Sequence, residues 1–482
     1  MARLSALDTS FLRVETPAAH MHVGWLSHLD LPAGADRLDV RRLVTTIGTR
    51  LHLAPRFRQI VVPTPLGLGE PSWEDDPRFD LGRHVFVAAD EDPVGHARLR
   101  RLTDEFLSQP LSRDRPLWSL LLVPRLAGGG AALVGKVHHA MVDGIAAVEL
   151  GMLLFDVEPS PLPQQAPEWN PEPMKGAARR VLTAAADTAG SRVRAAGTVV
   201  RRAASPRDGA RAAESGGRAA LALAGDVLNP APPSSLNPSI GPQRTLLTQR
   251  LELSDLNAIK QAYGVKLNDV VLTIVAGALR QLALVRGEEP VDLRVMVPVS
   301  TRVDGESGGN RITFCFAKLP LSAPSPLERL RRVRSATQQM KSGDRIAGSE
   351  LLLRSIGQLP SQLQASAARW AASPRLYNLT VSNVPGPTIP MYAAGARVAS
   401  VFPVIPLSEG HALSFGALSY EGGMHFTAYA DPFALREAVE LPNLLSMALV
   451  DLMDANRRRK PALGPRRLSA VRDQRVRALI RS

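Results

Sequence analysis

The sequence predicts a mixed α/β protein assembled from two halves, and three observations carry that prediction. Apolar runs of strand length alternate with stretches whose apolar residues recur near every 3.6 positions. Two Pro-rich segments, residues 160–173 and 229–242, fall near the middle and read as the ends of a linker. The second half then restarts the same rhythm, although the halves share no sequence repeat. The chain has 482 residues and is 45% hydrophobic. That is long enough for two or more sizeable cores and too apolar for disorder. The expected organisation is an N-terminal domain over 1–159, a Pro-rich and basic Ala/Arg crossover over 160–242, a C-terminal domain over 243–456 and a basic tail over 457–482.

In the first half, residues 21–31 read as a strand, 38–51 as a helix, 59–62 as a short strand and 94–107 as a second helix with Leu99, Leu102, Phe106 and Leu107 on one face. Residues 117–123 and 131–137 are apolar runs separated by a turn ending in Gly128-Gly129-Gly130, which predicts a hairpin. Residues 145–155 read as a helix. In the second half, 246–253 predicts a strand, and Ser254-Asp255 should cap a helix over 256–263. Asn268-Asp269 opens a strongly apolar helix over 267–284. Strands follow at 293–299 and 312–319, then a basic amphipathic helix at 327–340. A strand over 377–382 should end in the turn Asn383-Val384-Pro385-Gly386-Pro387. Residues 398–405, 412–420 and 424–429 read as a meander, with a final helix over 435–453.

Charge and cysteine usage exclude several classes. Net charge is +13, but residues 175–218 carry +7 and 457–482 carry +9, so the remaining body is slightly acidic at −3. A nucleic-acid groove built into the fold is therefore not expected, and neither basic stretch has an aromatic for base stacking. Attraction to an anionic membrane surface fits these appendages, as does simple solubilisation. One cysteine, Cys315, rules out an intrachain disulfide, and its apolar neighbours predict a small buried hydrophobe. No apolar signal region opens the chain, and no uncharged run reaches the ~18 residues of a membrane span. A cytoplasmic protein with at most peripheral membrane contact is expected.

The chemistry centres on His138-His139, followed by Asp143-Gly144 at a strand-to-helix junction. Side chains alternate on a strand, so the two rings should face opposite ways. His139 is the expected general base and His138 its packing or orienting neighbour, because imidazole is suited to taking a proton near neutral pH. Asp143 would cap the following helix or fix the loop by pairing with a distant arginine such as Arg302, and Gly144 would allow a sharp turn. A zinc site is disfavoured, since neither a Cys cluster nor His at i, i+4 with Glu is present. A serine-hydrolase elbow is also missing. His20, His22, His411 and His425 are expected to be structural.

His-His-x-x-x-Asp-Gly resembles the signature of the coenzyme-A-dependent acyltransferase superfamily. The remaining motifs resemble the bacterial wax ester synthase/diacylglycerol acyltransferase family: Ser5-Ala6-Leu7-Asp8 with Phe11-Leu12, His20-Met21-His22-Val23-Gly24, Pro116-Leu117-Trp118, Asn268-Asp269, Val297-Pro298-Val299-Ser300-Thr301-Arg302 with Gly309-Asn310, and Ser382-Asn383-Val384-Pro385-Gly386-Pro387. The likeness runs from residue 5 to about 432 and leaves the basic segment and tail uncovered. It implies two chloramphenicol-acetyltransferase-like domains, each a mixed sheet flanked by helices, with the active site between them. It implies an acyl-CoA donor, a diacylglycerol or long-chain alcohol acceptor, no cofactor, and peripheral contact with an anionic membrane or lipid droplet. Trp118 would be a core residue or a wall of the acyl channel. Asn268 and Asp269 would cap their helix or line the cleft. Asn383 would form a turn, with Ser382 or Asn383 able to bind the thioester oxyanion. The competing expectations are a condensation-type amide former and a non-catalytic lipid-binding tether on the same fold.

Overall fold

The computed structural model describes residues 3–65, 69–90, 92–141, 150–161, 165–183, 228–300, 312–340, 346–348 and 361–459, with isolated positions between 186 and 225 and at 351. Asp143, Gly144, Arg302, Gly309, Asn310 and the tail from 460 lie outside the described residues. The strands are β1 (His22–Asp30), β2 (Gln59–Val62), β3 (Ser72–Asp75), β4 (Val85–Val87), β5 (Trp118–Val123), β6 (Ala131–His138), β7 (Thr245–Glu252), β8 (Leu293–Ser300), β9 (Ile312–Leu319), β10 (Leu379–Pro385), β11 (Tyr392–Ala393), β12 (Ala396–Val404), β13 (Leu413–Tyr420) and β14 (Gly423–Ala430). The main helices are α1 (Ala6–Val14), α2 (Val40–Arg50), α3 (His96–Ser108), α4 (Leu253–Tyr263), α5 (Leu267–Val285), α6 (Pro326–Met340), α7 (Ser361–Ala371) and α8 (Leu441–Arg459).

Two six-stranded mixed sheets organise these elements. One has the order β11-β12-β1-β6-β5-β4 and the other β7-β14-β13-β10-β8-β9. The predicted hairpin is β5–β6, antiparallel with Trp118 opposite Val137. Every residue of both strands is buried, which explains why they read as continuous apolar runs rather than alternating ones. The second sheet pairs β10 in parallel with both β8 and β13: the chain passes from β8 to β10 by way of β9, α6 and α7, and from β10 to β13 by way of β11 and β12 of the other sheet. The apolar α5 packs against α6 and α8. It is the one described helix long and apolar enough to cross a membrane, and 67% of its apolar window is buried in protein.

Three expectations are corrected. The meander does not form, because β12 leaves the second half and pairs antiparallel with β1, from Gly24 opposite Val404 to Asp30 opposite Arg397. Only β13–β14 remains as the hairpin. The strand through Ser382 does not turn at Asn383 either. It continues to Pro385, with Asn383 opposite Ala417, because β13 supplies a parallel partner from Thr380 to Pro385. Finally, α4 begins at Leu253 with Glu252 at its N-cap position, so Ser254-Asp255 lies in the first turn. Asp255 there interacts favourably with the helix dipole.

Candidate active site

The excursion of β12 creates the cavity. It closes one side of a space of about 570 Å³ between the sheets, walled by β1, β8, β9, β10 and β12 and by helices α1 and α7. Helix α1 starts at Ser5, whose hydroxyl accepts from Asp8 N–H at 3.0 Å. Its Leu7, Phe11 and Val14 recur at helical spacing and present one apolar stripe to the cavity. The walls are overwhelmingly apolar, and among the described lining residues the titratable side chains are His139 and Tyr377. Burial pushes the Tyr377 phenol up to about 12, and its hydroxyl bonds Ser408 at 3.1 Å.

His138 and His139 diverge where β6 ends. His138 N–H donates to Leu117 O at 2.9 Å, and His139 N–H to Met21 O at 2.8 Å, so both neighbouring strands hold the junction. The His138 ring is fully buried. Its Nδ1 accepts from Ala140 N–H at 3.0 Å, so the neutral ring carries its proton on Nε2. That nitrogen lies 3.6 Å from Glu15 Oε1, and His22 Nε2 lies 3.7 Å from the same oxygen. Met21 N–H donates to Glu15 at 3.4 Å, and Arg113 pairs with the carboxylate's other oxygen. Burial acts to raise the Glu15 carboxyl, but His138 and Arg113 draw it down to about 2. Burial lowers His138 despite Glu15, and holds His22 well below the usual imidazole range with help from Lys136 and His138. A half-buried carboxylate therefore sits beside the turn that presents His139.

His139 is half-buried and opens on the cavity. The Phe11 ring stacks on it with centroids 3.8 Å apart and planes at 16°. Phe11 in turn meets Phe314 of β9 edge-on at 6.5 Å. Burial pulls the His139 imidazole down to about 4, so the ring is neutral at pH 7 with a lone pair free.

The other anticipated residues separate into two groups. Ser382, on β10, lines the cavity. Trp118 does not: it is buried, its indole N–H donates to Phe57 O at 2.8 Å, and it stacks on His84 at 4.5 Å. The channel-wall reading of Trp118 gives way to the core reading because β5 lies inside its sheet, between β4 and β6. Asn268, Asp269 and Asn383 also stand outside the cavity lining. Asp269 occupies the third position of α5, accepts from Lys266 N–H at 2.9 Å, and takes a bond from the Thr337 hydroxyl of α6 at 2.7 Å. It caps the helix and ties it to its neighbour. His20 and His411 bond backbone carbonyls, His22 meets Leu111 N–H at 3.3 Å, and His425 is fully buried. Phe11 was noted from sequence only as part of a family-like motif, with no role at the site, and Glu15 and Trp25 were not singled out. The apolar spacing 7, 11, 14 after Ser5 could have marked the first, and a lone Gly135 within an apolar strand the last.

The two-lobed shape is that of known acyl-transfer and condensation folds. The structure is similar to a wax ester synthase/diacylglycerol acyltransferase from Marinobacter aquaeolei, with a TM-score of 0.66 and 24% identity over 95% of this chain and 100% of that one. It is similar in fold to the starter condensation domain of rhizomide synthetase, with a TM-score of 0.58 and 15% identity over 94% and 95% of the two chains. Residues 4–271 match the wax ester synthase/diacylglycerol acyltransferase catalytic domain, and 308–452 match the C-terminal domain of the same family. A probable diacylglycerol O-acyltransferase of Mycobacterium tuberculosis is 32% identical over 476 residues, covering 95% of this chain and 97% of that protein. The chain belongs to the wax ester synthase/diacylglycerol acyltransferase family and is an acyltransferase.

Proposed function

We propose that this cavity transfers a fatty acyl group from acyl-CoA to the hydroxyl of a diacylglycerol or a long-chain alcohol, with His139 as general base. The observation that carries the reading is a neutral imidazole facing an apolar space otherwise almost devoid of titratable groups. The acceptor hydroxyl gives its proton to the imidazole, and its oxygen attacks the thioester carbonyl. The carbon–sulfur bond then breaks, and His139 returns the proton to the departing thiolate. Ser382, which lines the same cavity, would donate to the developing oxyanion. Asp143 and Gly144 would shape the loop after His139, and His138 orients that loop through Ala140 and Glu15. The apolar walls exclude water, which would otherwise compete for the acyl group.

Diacylglycerol is the favoured acceptor class, since the relatives of M. tuberculosis carry that name. The condensation domain was solved with C8-CoA, which supports a CoA thioester as donor for this shape. The basic crossover and tail bring the enzyme to an anionic membrane or droplet surface, where its acceptor dissolves. Purified protein incubated with labelled palmitoyl-CoA and either dioleoylglycerol or hexadecanol should yield triacylglycerol or wax ester. Thiol release without an ester product would refute the transfer, leaving a thioesterase.

A further inference from the structure

The cavity has two ends of different character, and His139 stands between them. Strand register sets the order along its walls. His139 N–H meets Met21 O, while further along β1 Gly24 pairs Val404 and Trp25 pairs Pro403 of the antiparallel β12. His139 therefore lies level with the stretch after Val404, towards Ile405 and Ser408, and the wall through Trp25 and Val401 runs the other way. That far end is apolar: Trp25, Phe155, Met391, Val401 and Leu418 line it and pack on the first sheet's core. The Trp25 ring occupies the space that a side chain at Gly135, its partner on β6, would fill, since a Cβ there would fall 2.2 Å from Cζ2 and Cη2. At the near end, Val14, Ala372 and Ser408 line a second hollow as well, of about 340 Å³. The two spaces share these three residues and so adjoin.

The second hollow is polar. Asn237, Ser239, Ser373 and Glu409 line it, and Arg369 of α7 is the one basic side chain among its described lining residues. Arg369 is exposed, and no hydrogen bond or ion pair to a described residue engages its guanidinium. A guanidinium in that position matches the geometry of a phosphate. Acyl-CoA carries its chemistry in the same order as these surfaces: hydrocarbon, thioester, polar amide arm, phosphates. A diacylglycerol or a long-chain alcohol has no charged group for an arginine to hold. We propose that acyl-CoA threads the cavity with its acyl chain towards Trp25, its thioester at His139 and its pantetheine arm passing Ser408 into the polar hollow, where Arg369 binds the phosphates. This rests on the acyl-transfer reading above and makes Arg369 a binding residue, not a catalytic one. Glu409, the one acid among the described lining residues of the hollow, opposes that binding.

The test compares two donors, with dioleoylglycerol as acceptor and the full chain as enzyme. One is palmitoyl-CoA. The other is S-palmitoyl-pantetheine, which keeps the thioester and the amide arm but ends before the phosphates. Palmitoyl-CoA should be favoured by about fivefold in kcat/KM, the upper value of one exposed ion pair. Arg369→Ala should raise KM for palmitoyl-CoA, keep kcat and bring the ratio of the two donors near one, and Arg369→Lys should retain part of the preference. Glu409→Gln should strengthen the preference; a weaker one in that variant overturns the proposal. Equal use of the two donors by the unaltered chain also overturns it, as does a ratio that survives in Arg369→Ala. So does an equal loss toward both donors in Arg369→Ala, which would make the arginine a structural residue. No transfer from either donor would instead overturn the acyl-transfer reading, and this one with it.

Discussion

His139 owes its character to what surrounds it. Phe11 covers one ring face and burial pulls the imidazole down to about 4, so the ring stays neutral at pH 7. Replacing it with alanine should cut turnover by about 10² to 10⁴, with an unchanged far-ultraviolet circular dichroism spectrum. Near-normal turnover by that variant would remove His139 as base. Glu15→Gln should be costly for a different reason. It removes the negative partner of the half-exposed Arg113 and the carboxylate beside the two neutral imidazoles of His138 and His22, at a cost of about 1 kcal/mol. Urea unfolding checks this; a midpoint matching the wild type would show that the cluster contributes nothing. The histidine pair was legible in sequence because its chemistry and its strand-to-helix context are both local. Glu15 was not, because its role depends on the return of α1 beside β6, which no spacing rule encodes.

Among the elements, β12 decides most. Its sequence alternates well enough to be recognised as a strand, yet alternation says nothing about which sheet receives it. The sheet that accepts it must offer an open edge in the right register, and β1 does so on the side away from β6. The same strand supplies Val401, Pro403 and Val404 to the cavity wall, so the cavity is not formed by either half alone. The pairing of Trp25 with Gly135 belongs to this scale too. Gly135→Ala should overpack the sheet by about 1–3 kcal/mol, read as a lowered thermal midpoint; an unchanged midpoint would show that the indole moves freely. Trp118→Phe tests the core assignment of β5. Loss of its bond to Phe57 should lower stability by about 1–3 kcal/mol, while KM for acyl-CoA stays put. A large rise in that KM with normal stability would return Trp118 to the channel.

At the scale of the molecule, buried imidazoles set the response to acid. Burial pulls His84, His139 and His425 each to about 4. The unfolded chain binds protons at these positions near pH 6.5, whereas the folded chain does so only near 4. Between those values the unfolded state holds more protons, so stability falls as pH falls through the window. Asp104, which burial raises to about 6, and Asp451, which burial also raises, oppose this, while His20, His22, His28, His138 and His411, all lowered by burial, reinforce it. Thermal midpoints should therefore decline from pH 6.5 to 4; a flat or rising profile would contradict neutral buried histidines. Deleting 457–482 should weaken sedimentation with anionic vesicles, more so at low salt. Binding that is unaffected by the deletion would exclude the tail from membrane contact.

By itself the sequence determined the α/β class, most strand and helix positions, the histidine pair and the location of the excess charge. These follow from side-chain periodicity and residue chemistry, both of which are local. Only the tertiary structure decided that a strand from the second half completes the first sheet, that Trp118 and Asp269 serve the core, that Phe11 stacks on His139, that Glu15 sits beside His138 and that Trp25 lines the cavity. Those outcomes depend on contacts between residues far apart in the chain, and such contacts are selected by packing and register, not by neighbours in sequence.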